Sequence, residues 1–224
     1  MYQVIADEAD FIIINKSANV HFHSQDGSAG VVAQAELDLG IKLYSVHRLD
    51  TLTSGLLILA KSSAAAAEFT RQFSEHKIQK YYLALAQGKP KKKQGWVIGD
   101  MAKSRRSMHK LLRTTVNPAI TQFFSQSVAD GLRLYLLKPL SGKTHQLRVA
   151  LASIGVPILG DELYGGAASD RGYLHAYSLY FNYKNKAYQF SMPPQSGVAF
   201  NSEAFSKQLA LWSQPESLNW PKAK

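Results

Sequence analysis

The chain has no cysteine among its 224 residues. That excludes a disulfide framework, a thiolate nucleophile and any zinc or iron–sulfur centre held by cysteine, and it is compatible with a reducing cytosol. Acidic residues are also few: 16 Asp and Glu face 26 Lys and Arg, for a formal charge of +10. Such an excess favours an anionic partner, nucleic acid or an acidic membrane surface. No apolar run approaches the roughly 20 residues needed to cross a bilayer. Met1 to Asp10 holds three acids and no basic cluster, unlike a secretory or organellar presequence. The expectation is a soluble, cytoplasmic monomer. A chain of this length can build one sizeable core, so residues 1–224 are read as a single domain, without repeats and without a linker that separates two.

What is present begins with short runs of branched and aromatic side chains. Phe11 to Asn15, Leu56 to Ala60, Tyr81 to Ala86 and Leu132 to Leu137 read as strands, with Leu56 to Ala60 buried on both faces. Ser62-Ser63 offers an N-cap, and Ala66, Phe69 and Phe73 recur at helical spacing, which predicts a helix over Ser63 to His76. A second helix is expected from Thr144 as N-cap to Gly155, with Leu147, Leu151 and Ile154 on one apolar stripe and Arg148 on the other face. Phe205, Leu209 and Trp212 predict a third over Glu203 to Trp212, packed outside the sheet. Strands mixed irregularly with helices indicate an α+β fold.

The segment Lys89 to Arg113 stands apart, with nine Lys or Arg against the single acid Asp100 and few large apolar residues. It reads as a basic loop or hairpin that either lies along phosphates, through Lys91, Lys92, Lys93, Arg105 and Arg106, or is simply a solvated surface.

The sharpest stretch is His47-Arg48-Leu49-Asp50-Thr51-Leu52-Thr53-Ser54-Gly55-Leu56, where a charged cluster and a small-residue turn run into a buried strand. A carboxylate flanked by Arg and His at a strand end is either a nucleophile or base kept ionised by cations, or a structural ion pair anchoring the turn. This stretch resembles the catalytic signature of the RluA-type pseudouridine synthases: His-Arg-Leu-Asp, two variable residues, then Thr-Ser-Gly-Leu. Three further segments resemble the same family in the same order. They are Lys80-Tyr81-Tyr82-Leu83-Ala84-Leu85, Ser141 to Arg148 running on to Gly155 to Gly165, and Leu174-His175-Ala176. Together they span about Ile14 to Phe181.

The resemblance implies the pseudouridine synthase fold: a mixed, mainly antiparallel central sheet with flanking helices and an RNA-binding cleft. It implies an isomerase that detaches uracil from its ribose at N1 and rejoins it through C5, without cofactor or metal, on a tRNA or rRNA stem-loop. The family's single catalytic aspartate maps to Asp50, acting either on the sugar as nucleophile or on a ribose proton to give a glycal. Arg148 maps to the active-site basic residue that pairs with that carboxylate, and Tyr82 to the aromatic platform for the base. The target nucleotide is flipped out, and Arg48 maps to the residue that fills the vacated stack. His47, Lys80, Lys143 and His145 fall in the same motifs as RNA contacts, and Leu174 as an apolar wall for uracil.

Leu52, Ala150 and Ser17-Ala18-Asn19 depart from the family pattern, which bears on substrate identity and loop detail. The start of the chain is expected to leave no room for a separate N-terminal RNA-binding module. Three rival readings stand beside this one. Gly142-Lys143-Thr144 resembles the end of a P-loop, but Leu137 stands where that motif needs glycine. His21 and His23, with His47, Asp50, His145, Asp161 or His175, are candidate ligands of a metal-dependent nuclease or phosphodiesterase, though scattered histidines are more often structural. A non-catalytic RNA-binding protein or RNA chaperone needs only the charge and the aromatics.

Overall fold

The structure is a computed structural model that describes residues 1–25 and 27–222. In chain order its elements are β1 (Tyr2–Asp7), β2 (Phe11–Lys16), α1 (Val31–Leu39), β3 (Tyr44–Ser45), β4 (Ser54–Ala60), α2 (Ser63–Ser74), β5 (Gln79–Gln87), β6 (Gln94–Gly99), β7 (Met101–Lys103), β8 (His109–Leu111), β9 (Ala119–Ala129), β10 (Leu132–Pro139), α3 (Gln146–Ser153), β11 (Leu174–Tyr183), β12 (Lys186–Ser191) and α4 (Glu203–Leu211). Two compact units divide these elements: Met1–Ile78 with Ala176–Pro193, and Gln79–His175 with Pro194–Lys224.

In the first unit the strand order is β1-β2-β4-β11, with β12 folded back on β11. β1 with β2, β2 with β4 and β11 with β12 are all antiparallel. β2 and β4 are buried along their whole length, as apolar runs without alternation require when both faces are covered. Against them α2 lays Phe69, which stacks on Tyr183 at 4.9 Å and meets Phe11 edge-on at 5.3 Å. Each such pair adds about 0.5–1.5 kcal/mol beyond the burial of its area. Ser62 caps α2 by accepting from Ala65 N at 3.1 Å. The helix stops two residues before the expected His76. His76 takes a left-handed φ of 55° while Lys77 N reaches back to Gln72 O, a Schellman-type closure built without glycine.

The second unit holds the antiparallel order β5-β10-β9-β6 and a separate hairpin, β7 with β8. Lys89 to Arg113 is therefore only partly a loop. Gln94–Gly99 is a sheet strand paired with β9, with Val97 buried, and only the stretch beyond it is a basic hairpin. β9 escapes a reading by hydrophobic pattern because Thr121, Gln122 and Ser125 are buried within it. Their polar groups are satisfied from outside the strand. Gln122 Nε2 donates to Pro221 O, Ser125 Oγ donates to Lys93 O, and Thr121 Oγ1 accepts from Gln146 Nε2. Glu203–Leu211 is helical as expected, capped by Ser202, with Phe205 buried beneath it.

Helix α3 differs from its expected form. Its N-cap is His145, not Thr144, held at φ 56°. Every residue from Gln146 to Leu151 is buried, Arg148 included, so the helix is an internal element rather than an amphipathic one with Arg148 on an open face. Gln146 makes this start possible. Its Oε1 accepts from Lys143 N and Ser141 Oγ, and its Nε2 donates to Ile120 O as well. Gly155, at φ 78°, follows its end.

Candidate functional site

The sequence-derived candidates gather in two groups, one in each unit. In the first unit His47, Arg48 and Asp50 share the loop between β3 and β4. Thr53 N donates to Asp50 O at 3.0 Å, closing a turn that leads straight into β4. Lys16, fully buried at the end of β2, donates from Nζ to Ser17 O, Val20 O and Thr51 O at 3.0, 2.8 and 3.3 Å. An ammonium taken out of water needs such acceptors, and here they tie the turn that carries Asp50 to the sheet.

His47 is tied down as well. Its Nε2 accepts from Ile58 N at 2.9 Å and its ring lies 4.5 Å from that of Phe73. A ring nitrogen that accepts an amide hydrogen carries no proton itself, so this bond fixes the tautomer. Arg48 is exposed, with its guanidinium 5.8 Å from the centroid of the buried Phe22 ring. Thr51 Oγ1 lies 3.2 Å from His21 Nδ1. Gly55 accounts for the small residue in the Thr-Ser-Gly-Leu motif: at φ 113°, an added Cβ would sit 2.3 Å from Ala176 O.

In the second unit Lys80 and Tyr82 lie on β5, Tyr82 opposite Leu137 of β10 and partly exposed while Tyr81 is buried. Burial pushes the Lys80 ammonium down to about 8. Its Nζ lies 3.9 Å from where a Cβ on Gly142 would stand, beside the loop that opens α3. Lys143 Nζ donates to Asn117 Oδ1 at 2.9 Å. Leu174 is buried at the start of β11, and its carbonyl accepts from Arg171 at 3.4 Å. Lys91, Lys92, Lys93, Arg105 and Arg106 are exposed.

Arg148 makes a two-pronged pair with Asp161, Nε to Oδ2 and Nη2 to Oδ1, each at 2.7 Å, with side-chain exposures of only 7% and 1%. Asp161 is set by a loop knitted to β5, where Leu159 N donates to Leu85 O and Tyr173 N to Leu159 O, both at 2.9 Å. The Arg148 guanidinium also lies 4.9 Å over the ring of Tyr164.

Lys16, Phe22, Gln146, Asp161 and Tyr164 are the supporting residues that sequence reasoning gave no such role. The signal for the last two was the Gly160-Asp161-Glu162-Leu163-Tyr164-Gly165 run itself. Among the described residues, no three His, Asp or Glu side chains gather at metal-ligand spacing. No helix among them is long and apolar enough to cross a membrane.

Residues 10–153 match the family model of RNA pseudouridylate synthase. The chain is 52% identical over 213 residues to an uncharacterized RNA pseudouridine synthase of Haemophilus influenzae, covering 94% of this chain and 95% of that protein. It is 39% identical over 144 residues to the dual-specificity RNA pseudouridine synthase RluA of Escherichia coli, covering 60% of this chain and 65% of that one. It is 32% identical over 195 residues to ribosomal large subunit pseudouridine synthase C of Rickettsia prowazekii, covering 80% of this chain and 63% of that protein. In fold it is similar to human RNA pseudouridylate synthase domain containing 1, with a TM-score of 0.77 over 99% of this chain and 97% of that one, at 22% identity.

Proposed function

The chain belongs to the RNA pseudouridylate synthase family and is a pseudouridine synthase of the RluA type, and from that premise we propose that it isomerises specific uridines of structured RNA with Asp50 as the essential catalytic carboxylate. The observation that carries the reading is the Asp50 turn itself, fastened by Thr53, by the buried Lys16 and by the His47 ring, where a carboxylate is offered on a preset loop. A single-residue catalyst needs its carboxylate carried on a preset backbone, whether it attacks the sugar or takes a ribose proton.

In this reading Arg148 keeps the reacting carboxylate ionised and oriented, with Asp161 aiming the guanidinium. Tyr82 is the platform on which uracil turns after its N1 bond breaks. Arg48, held over Phe22, enters the stack from which the nucleotide is flipped, offsetting part of the few kcal/mol of lost stacking. His47, Lys80, Lys143, His145 and Leu174 complete the RNA-facing set, and Lys91, Lys92, Lys93, Arg105 and Arg106 bind phosphates. A tRNA or ribosomal RNA stem-loop is the substrate class, in keeping with relatives whose names specify dual specificity and the large ribosomal subunit. The protein acts as a monomer in the cytoplasm, and the two units serve one catalytic domain.

The test uses total RNA from cells lacking the gene, labelled with tritium at uridine C5, because forming the C5 glycosidic bond displaces that hydrogen. Asp50→Ala is expected to abolish tritium release while leaving RNA affinity within a few-fold. Unchanged release in that variant would reject Asp50 as the catalyst, and release by neither protein would favour an RNA-binding protein without catalysis.

A further inference from the structure

The hairpin of β7 and β8 has three residue pairs and exposes Arg105 and Arg106 at a tip where Arg106 and Ser107 both take left-handed backbone, φ 52° and 60°. A two-stranded ribbon of this size is at best marginally stable in water, so something outside it must hold its shape. Its base is held by Asp100, whose carboxylate accepts from Val116 N and Asn117 N at 3.0 and 2.7 Å. Strand β8 is tied to another segment by a side chain: His109 N donates to the Tyr164 hydroxyl at 2.8 Å.

Tyr164 also contacts the start of α3. Its hydroxyl is 2.8 Å from Nδ1 of His145, the N-cap residue of α3, and its ring carries the Arg148 guanidinium at 4.9 Å. His109 and His145 meet edge-on at 5.4 Å, and β8 packs against α3. Asp161, which pairs with Arg148, precedes Tyr164 by one tight turn, with Tyr164 N donating to Asp161 O at 3.0 Å. One aromatic side chain thus joins the basic hairpin, the helix start and the buried arginine through two parts: the hydroxyl serves the hairpin and His145 Nδ1, while the ring carries Arg148 and meets the His145 ring edge-on at 5.6 Å.

We propose that Tyr164 is a positioning residue that locks the seating of the Arg105–Arg106 hairpin to the placement of Arg148, so that RNA gripped by the hairpin is registered against the helix that bears the arginine. The inference rests on the reading of Arg148 as part of the reacting centre. A hydroxyl that only stabilised the fold would lower activity in proportion to the folded fraction. A registering hydroxyl divides its effects between binding and turnover according to which half of the side chain is removed.

The experiment compares wild type, Tyr164→Phe, Tyr164→Leu, Arg105→Ala/Arg106→Ala and the combination of Tyr164→Phe with that double change. Filter binding and tritium release are measured on the C5-tritiated total RNA, and folded fraction by circular dichroism. Tyr164→Phe is expected to raise KM about fivefold with kcat within about twofold, as befits loss of one hydrogen-bonding group. Tyr164→Leu is expected to raise KM alike and to lower kcat at least about tenfold, because the cation loses its ring. Replacing the two arginines should weaken binding in the wild type but add less than about twofold once the hydroxyl is gone, a coupling that a double-mutant cycle isolates.

Additive binding losses, or equal kcat losses in Phe and Leu variants, would overturn the proposal. Should Tyr164→Leu not fold, the binding cycle with Tyr164→Phe decides. Binding is measured without turnover. Full activity of Asp50→Ala would therefore overturn the catalytic reading alone, while the cycle still judges the hairpin's seating.

Discussion

Replacing Asp161 by alanine tests whether the buried ion pair holds Arg148 in place or merely accompanies it. Both partners are almost fully removed from solvent and share two bonds of 2.7 Å. Hydrogen bonds to charged groups contribute about 1.5–3 kcal/mol each, and removing one partner of a buried pair costs about 3–5 kcal/mol because the other charge is stranded. For a chain of this size, 1 kcal/mol corresponds to about 2–4 °C in Tm. The expected fall is therefore about 6–20 °C. It should be nearly the same in low and high salt, since a buried pair is poorly screened. Asp161→Asn keeps the shape and one acceptor oxygen, so about half that loss is expected. Thermal melting followed by circular dichroism measures both variants, and tritium release below the melting range should fall at least about tenfold in Asp161→Ala. A fall in Tm of less than about 3 °C, or one erased by salt, would refute the claim that this pair fixes Arg148.

Three further outcomes follow from the geometry. Replacing Lys91, Lys92 and Lys93 by alanine should flatten the dependence of log affinity on log salt by about 2, at about 0.7–0.9 per lost phosphate contact, and an unchanged slope would remove these residues from the interface. Burial holds Lys80 at about 8 when folded, below its value of about 10.4 when unfolded. Stability from this group therefore declines as pH falls from about 10 towards 8 and is level below that. Its positive charge disappears as pH rises through about 8, so RNA affinity should drop between about pH 7 and 9 and Lys80→Met should abolish that step; a flat wild-type profile would count against Lys80 as a cationic contact. Gly55→Ala forces a Cβ onto Ala176 O from a left-handed φ, and soluble, fully active protein carrying it would contradict the close approach described.

Most of what could be read from the sequence was the framework. The apolar runs of β2, β4, β5 and β10 and the spacing of Phe69 and Phe205 gave elements of the right kind at nearly the right bounds, because packing there follows hydrophobic period alone. β9, and the start and full burial of α3, were obscured for a shared reason. Gln146, Thr121, Gln122 and Ser125 are polar residues buried by mutual hydrogen bonds, and no periodicity marks such a network. His76 and His145 adopt left-handed backbone without being glycine, so helix ends there carry no local signal. At the site, the motifs supplied the candidate residues, while the contacts their neighbours Lys16, Phe22, Asp161 and Tyr164 make with them emerge only when separate segments come together.

The loop from His47 to Thr53 is fastened at both ends before any substrate arrives. His47 is hooked to the amide of Ile58, and Thr51 and Asp50 to Lys16 and Thr53. A rigid hoop of this kind gives up little conformational freedom when RNA binds, so the deformation falls on the other molecule. On the reading advanced above, selectivity then becomes a property of RNA softness: among uridines within reach, those whose stacking is already weak are the ones that yield to an unyielding protein surface.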